Sequence, residues 1–155
     1  MFFGKSKAKK YSAAGVQYHE SNDLVHAEEA FKNAISCYEK YPEVHLLYGD
    51  LLKQLKRYPE AEREYRRAIE LKKDFAEAWG SLGALLHEQN KRYEAEGAYR
   101  RSIELNPYYI TSSLNLATLY QDSARFEEMK AVYRNMIPYV EDDPELMAMI
   151  DSKLA

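Results

Sequence analysis

A single cysteine, Cys37, leaves no partner for an internal disulfide, and a reducing, cytoplasmic setting is the simplest expectation. There is no run of 18 uninterrupted apolar residues, so no membrane span is expected. The opening residues lack the apolar core of a signal peptide, and Phe2 stands where myristoylation needs a glycine. Neither sign of charge is in large excess. The 22 Lys and Arg face 25 Asp and Glu, a net charge of −3, which argues against whole-surface nucleic-acid binding because that needs a basic face. Patterns that carry chemistry are also missing. The four histidines, His19, His26, His45 and His87, form no H-E-x-x-H, and one cysteine builds no zinc site. No G-x-x-x-x-G-K-[ST] or G-x-G-x-x-G occurs. No metal, no cofactor and no enzymatic activity are expected.

What is present is a period. An isoleucine falls at Ile35, Ile69, Ile103 and Ile137, at three equal steps. An aromatic keeps the same step at Phe31, Tyr65, Tyr99 and Tyr133, and a small residue keeps it at Gly15, Gly49, Gly83 and Ala117. Three residue classes held in phase without an insertion mark a stacked helical repeat. Apolar content of 46% suffices for the strip of core that such a stack buries between neighbours.

Numbered 1 to 34 from Ala8, Pro42, Ala76 and Ile110, the copies resemble the tetratricopeptide repeat family. The third carries Trp79, Leu82, Gly83, Ala95, Tyr99, Ser102 and Pro107 at the signature positions 4, 7, 8, 20, 24, 27 and 32. The second has Tyr48, Gly49, Leu52, Ala61, Tyr65 and Ala68; the first has Tyr11, Gly15, Tyr18, Ala27, Phe31 and Ala34. The resemblance implies an all-α, right-handed helical-repeat solenoid of antiparallel helix pairs, with four repeats (8–41, 42–75, 76–109 and 110–143) and a capping helix over 144–155. The whole of 8–155 is expected to be one domain, preceded by a tail over 1–7.

Local signals agree. Helices are expected near 8–21 and 24–37, 42–55 and 58–71, 76–89 and 92–105, 110–123 and 126–137, then 144–154, nine in all. Asp23 and Asp143 are expected N-caps, Pro59 and Pro144 suit first turns, and Asn106-Pro107 and Pro138 should end helices. Tyr93 falls one residue later than the corresponding Tyr58. The fourth copy diverges: Ser113 takes the place of a large residue, and Met129 and Met136 take the places of small ones. Looser packing is expected there, because methionine fills irregular gaps.

In the family, positions 2, 5, 6, 9, 12 and 13 of the first helices line a concave groove. The resemblance therefore implies a partner-binding set of Leu46, Asp50, Lys53, Glu77, Ser81, Ala84, His87, Leu114, Asn115 and Gln121. Glu20, Glu43, Asp50, Glu77, Glu88 and Asp122 make the lining mildly acidic, which suits a peptide with apolar anchors and basic flanks. Asp50→Arg is expected to weaken such a ligand with little loss of stability. Family members that clamp the C-terminal carboxylate of heat-shock chaperones use Lys and Asn at positions filled here by Ser12, Val16, Leu47, Glu77 and Ser81, so that subclass is not expected. Arg66-Arg67 and Arg100-Arg101 read as a solvated face rather than a phosphate track. The expected function is a protein-interaction scaffold holding a peptide of a partner protein. The alternative is a self-associating assembly protein, a homo-oligomer built through the solenoid ends or Phe2-Phe3.

Overall fold

The computed structural model describes residues 2–155, apart from the side chain of Phe2. Nine α-helices and one 3-10 turn are found among them, with no strand. They are α1 (Phe2–Glu20), α2 (Leu24–Cys37), α3 (Pro42–Gln54), α4 (Tyr58–Leu71), α5 (Ala76–Glu88), α6 (Arg92–Leu105), α7 (Ile110–Asp122), α8 (Phe126–Met136) and α9 (Pro144–Leu154), the turn being Ile137–Tyr139. The chain divides within α5 into two compact units, Met1–Ser81 and Leu82–Ala155. In the first, α1 packs on α2, α3 packs on α4, and α2 and α1 both reach α3. In the second, α6 and α8 pack on α7, and α9 packs on α8.

A glycine and a ring fix each of three helix pairs. A Cβ on Gly15 would come within 2.6 Å of the Phe31 ring, one on Gly49 within 2.7 Å of Tyr65, and one on Gly83 within 2.7 Å of Tyr99. Real side-chain carbons do not approach so closely, so the aromatic of the second helix lies on bare backbone of the first. All three rings are buried. Glycine inside a helix costs about 1 kcal/mol against alanine, and burial of the ring offsets that cost. Small residues complete the contact: Ala27, Ala34, Ala61, Ala68, Ala95 and Ser102 are all 0% exposed.

The turn between the two helices of a copy has one geometry throughout. Asn22, Lys56, Asn90 and Ala124, one period apart, all sit in the left-handed region with φ between 56 and 60°. Each donates its N–H to the carbonyl three positions back, and the next residue donates to the carbonyl five back: Asn22 to His19 and Asp23 to Tyr18, for example, at 3.0 and 2.8 Å. This is the Schellman closure of a helix end, made here without glycine. Asp23 and Asp143 cap α2 and α9 as expected, accepting from the N–H groups of His26 and of Glu145 and Leu146. Asn106 leaves α6 with φ −148°, the extended backbone that a following proline requires.

Two expectations need correction. First, α1 begins at Phe2 instead of near Ala8, so the presumed tail is helical. Its packing explains this: a Cβ on Gly4 would lie 2.7 Å from the Cys37 carbonyl oxygen, so the first turn of α1 runs hard against the end of α2. Second, Tyr93 does not take the place of Tyr58. Tyr58 is half-buried, whereas Tyr93 is 91% exposed. Pro138 ends α8 as expected: the helix stops at Met136, and the proline sits in the 3-10 turn.

The fourth copy departs where its residues do. Ala117 brings the Cβ that the other pairs exclude, and it is buried, as are Met129, Tyr133 and Met136 of α8. A cavity of about 280 Å³ opens beside α7 and α8, with Ser113 and Met136 in its wall.

Tyr65→Ala should destabilise by about 3–5 kcal/mol, as core aromatic truncations do, and a urea melt would measure it; wild-type stability would mean that the ring-on-glycine contact carries no weight. Ala124→Gly should instead stabilise by about 1 kcal/mol, because it relieves a left-handed L-residue. Thermal unfolding of the pair would show the sign.

Candidate functional site

On α3 the spacing of Leu46, Leu47, Asp50 and Lys53 puts them along one face, and all four are half-buried. Leu46 rests on a buried cluster of Ala68, Phe75 and Ala78, so part of its apolar surface already serves the core. Asp50 accepts a 2.7 Å hydrogen bond from the buried Tyr65 hydroxyl, and the Ser81 hydroxyl bonds to the same carboxylate. Burial raises the pKa of Asp50, and these two bonds oppose the rise without cancelling it. Glu77 and Ser81 are half-buried in the first turns of α5. The first unit thus joins Asp50 and Ser81 directly.

This overturns one expectation. Asp50 holds the polar tip of the ring that fixes α3 to α4. Asp50→Arg would strand a buried hydroxyl, at a cost of about 1–3 kcal/mol, so its effect on stability is not small.

In the second unit Ala84 and His87 lie on α5, and Leu114, Asn115 and Gln121 lie on α7. All are half-buried except Gln121, which is exposed. His87 Nε2 stands 3.4 Å from the Asp122 carboxylate, and Lys153 donates to Gln121 at 3.4 Å. The first unit has the counterpart of the histidine pair: His19 Nε2 meets Gln54 Oε1 at 2.5 Å. Polar residues at the ends of successive first helices therefore hold one another, and only part of their hydrogen-bonding capacity faces outward.

Two polar clusters escaped the sequence reading. Glu28 of α2 accepts from Arg57 at 2.8 Å and from the Tyr48 hydroxyl at 3.1 Å, and it pairs with Lys32 at 2.7 Å. Partial burial pushes the Glu28 carboxyl up, but the Lys32, Arg57 and Tyr48 bonds outweigh it and bring the pKa down to about 2. In the second unit, Glu96 accepts from Arg125 at 2.6 Å and from Tyr120 at 2.8 Å. Arg57 and Arg125 each grip a second acid, Glu60 and Glu128. The signal was available: Glu28 and Glu96, like Arg57 and Arg125, differ by two periods.

His45 is the other omission. It is 4% exposed, with Nδ1 2.6 Å from a Glu64 carboxylate oxygen and Nε2 2.7 Å from the Glu39 carbonyl oxygen. Both neighbours are acceptors, so both ring nitrogens are served best as donors. Burial lowers the His45 pKa, but the Glu64 and Glu39 bonds prevail and raise it above 6.5.

The arginine pairs are neutralised by acids. Arg66 pairs with Glu62, Arg67 with Glu39 and Glu70, Arg100 with Glu96, and Arg101 with Glu104. These pairs suit a solvated face. Among the described residues no group of three His, Cys, Asp or Glu could hold a metal ion, and no helix is long and apolar enough to cross a membrane.

A profile described as TPR repeat matches residues 49–90, and one described as tetratricopeptide repeat matches residues 76–109. The chain carries tetratricopeptide repeats. Solved structures extend the likeness over most of its length. The first tetratricopeptide domain of Spaghetti (RPAP3), bound to the HSP90 peptide SRMEEVD, is 22% identical with a TM-score of 0.73, covering 77% of this chain and 95% of that one. MamA is 18% identical with a TM-score of 0.79, covering 89% and 81%. The Arabidopsis OM64 tetratricopeptide domain is 15% identical with a TM-score of 0.73, covering 77% and 98%. At these identities the likeness establishes the fold. No curated protein sequence matches the chain.

Within the repeats, His45 gives a pH signature. A folded pKa above the unfolded value of about 6.5 makes its contribution complete below that pH and loses it as pH rises through the folded value. Relative to His45→Tyr, the wild type should therefore lose stability in urea melts as pH rises above about 6.5 and through the raised folded value. A pH-independent difference would mean that the imidazole is buried neutral.

Proposed function

We propose that the chain is a non-enzymatic protein-interaction module that holds a peptide segment of another protein on its first helices. The observation that carries this reading is the state of those helices' outward residues. Leu46, Leu47, Ala84, Leu114 and Asn115 are half-buried, being neither core nor freely solvated. Leucines already partly shielded lose little further side-chain freedom when a ligand covers them. The packed repeats need no folding on binding.

The ligand class follows from charge. The peptide SRMEEVD held by the RPAP3 domain contains three acidic residues. The first helices here carry Glu43, Glu77, Glu88 and Asp122, and Glu77 occupies a place where the chaperone clamp uses a base. Acids of this kind repel a carboxylate-rich peptide and attract a basic-flanked one. The preferred ligand is an extended or helical segment with apolar anchors and Lys or Arg beside them.

Selection from a random peptide library should enrich sequences of that kind. Glu43→Lys combined with Glu77→Lys should weaken the winners roughly tenfold, with only the modest loss of stability that lysine in the first turns of α3 and α5 brings. Enrichment of acidic peptides, or affinity indifferent to the double change, would refute the reading.

A further inference from the structure

The cavity beside α7 and α8 belongs to none of the surfaces above. It is walled by Ile103 of α6 and Pro107 just beyond it, by Leu116 of α7, and by Val132 and Met136 of α8, with Ser113 in its floor. Its volume of about 280 Å³ is near the lower end of small-ligand pockets. The cause is local. Ser113 occupies the place that Tyr11, His45 and Trp79 fill in the other copies, so a large side chain is missing from the fourth. At its edge Tyr139 meets Tyr108 edge-on, with ring centroids 5.1 Å apart, which offers an aromatic contact to an entering ring. The rim carries Glu104, Glu128 and Arg100, each already held by a partner: Glu104 by Arg101, Glu128 by Arg125, and Arg100 by Glu96 and Tyr120.

We propose that this cavity receives Phe3 of a second copy of the chain. Phe3 is 93% exposed, yet it is not on a loose end, because the neighbouring Gly4 is pressed against the Cys37 carbonyl at the end of α2. An ordered helix therefore presents a bare aromatic to solvent. The charges beside it complement the cavity. Lys5, Lys7, Lys9 and Lys10 follow, and no Asp or Glu occurs before Glu20. Residues 82–155 hold 12 Asp and Glu against 8 Lys and Arg, a net of −4. A ring entering between Leu116, Val132 and Met136 brings the lysines of its helix towards this net-acidic unit, although the rim acids Glu104 and Glu128 are already paired with Arg101 and Arg125. The contact joins two different surfaces, so it is heterologous and propagates head to tail. It stands apart from the first-helix residues assigned to peptide binding, so either reading can fail alone.

Sedimentation velocity over a range of concentrations, at low and moderate salt, would test it. Wild type should associate, more weakly as salt rises. Phe3→Ser should weaken association roughly tenfold or more, as loss of an aromatic anchor does. Ser113→Tyr, which restores the large residue of the first copy, should do the same, with a melting curve to confirm folding. Should Ser113→Tyr misfold, Ala131→Arg blocks the mouth from an exposed position. The decisive sample is an equimolar mixture of Phe3→Ser and Ser113→Tyr, each monomeric alone. One retains the cavity and the other the ring, so the mixture should form dimers and nothing larger. A wild type monomeric at every concentration, Phe3→Ser associating like wild type, or a mixture that stays monomeric would each overturn the proposal.

Discussion

An aromatic ring lying on bare helix backbone is the contact from which the rest follows. Gly15 with Phe31, Gly49 with Tyr65 and Gly83 with Tyr99 set how closely two helices approach, and they also set rotation and register. A ring at one fixed offset along the chain can meet its glycine in one arrangement only. Small residues at Ala27, Ala61 and Ala95 are then required beside it, because the helices are too near for larger ones. Where Ala117 replaces glycine, methionine replaces the small residues of the other copies at Met129 and Met136. The substitutions form a set, and the cavity beside Ser113 accompanies them.

Polar groups act at the next level. Tyr65 and Asp50 show how the core reaches the surface: the ring packs inside, and its hydroxyl emerges to find a carboxylate on the first helix. Desolvation of Asp50 is tolerable because Tyr65 and Ser81 both donate to it. Glu28 and Glu96 do a different job, each tying a second helix to the arginine that opens the next one. Such pairs are partly buried and multiply bonded, unlike the exposed i,i+3 and i,i+4 pairs on the same helices, which contribute little.

Much of this was legible in the sequence, for a physical reason. Helix pairs, caps and the early stop at Pro138 depend on short-range rules, and a strict period repeats each rule until it is unmistakable. The start of α1 was not legible, since it depends on Gly4 meeting the Cys37 carbonyl at the far end of the next helix. Asp50 misled because a position that the family pattern assigns to the groove here holds the hydroxyl of the core ring Tyr65, which spacing alone does not reveal. His45 looked like an isolated histidine, because its partners Glu39 and Glu64 stand elsewhere in the chain, before α3 and within α4. The cavity at Ser113 was foreshadowed as looser packing, but its walls come from three helices and the following turn, so only packed volumes define it. The assignment of the binding surface itself rests on register within the family pattern.

The pairing of Glu28 with Arg57 and the pairing of Glu96 with Arg125 span the same interval of sequence. Glu62 and Lys91 keep that interval too. The chain therefore carries a phase as well as a composition. Excising one whole period from within it brings an acid and a base of the right kind back into step, and brings a glycine back under a ring. Excising a single position more or fewer between copies leaves each glycine under its own ring but puts acid and base out of step, so the ion pairs, more than the rings, register one copy against the next.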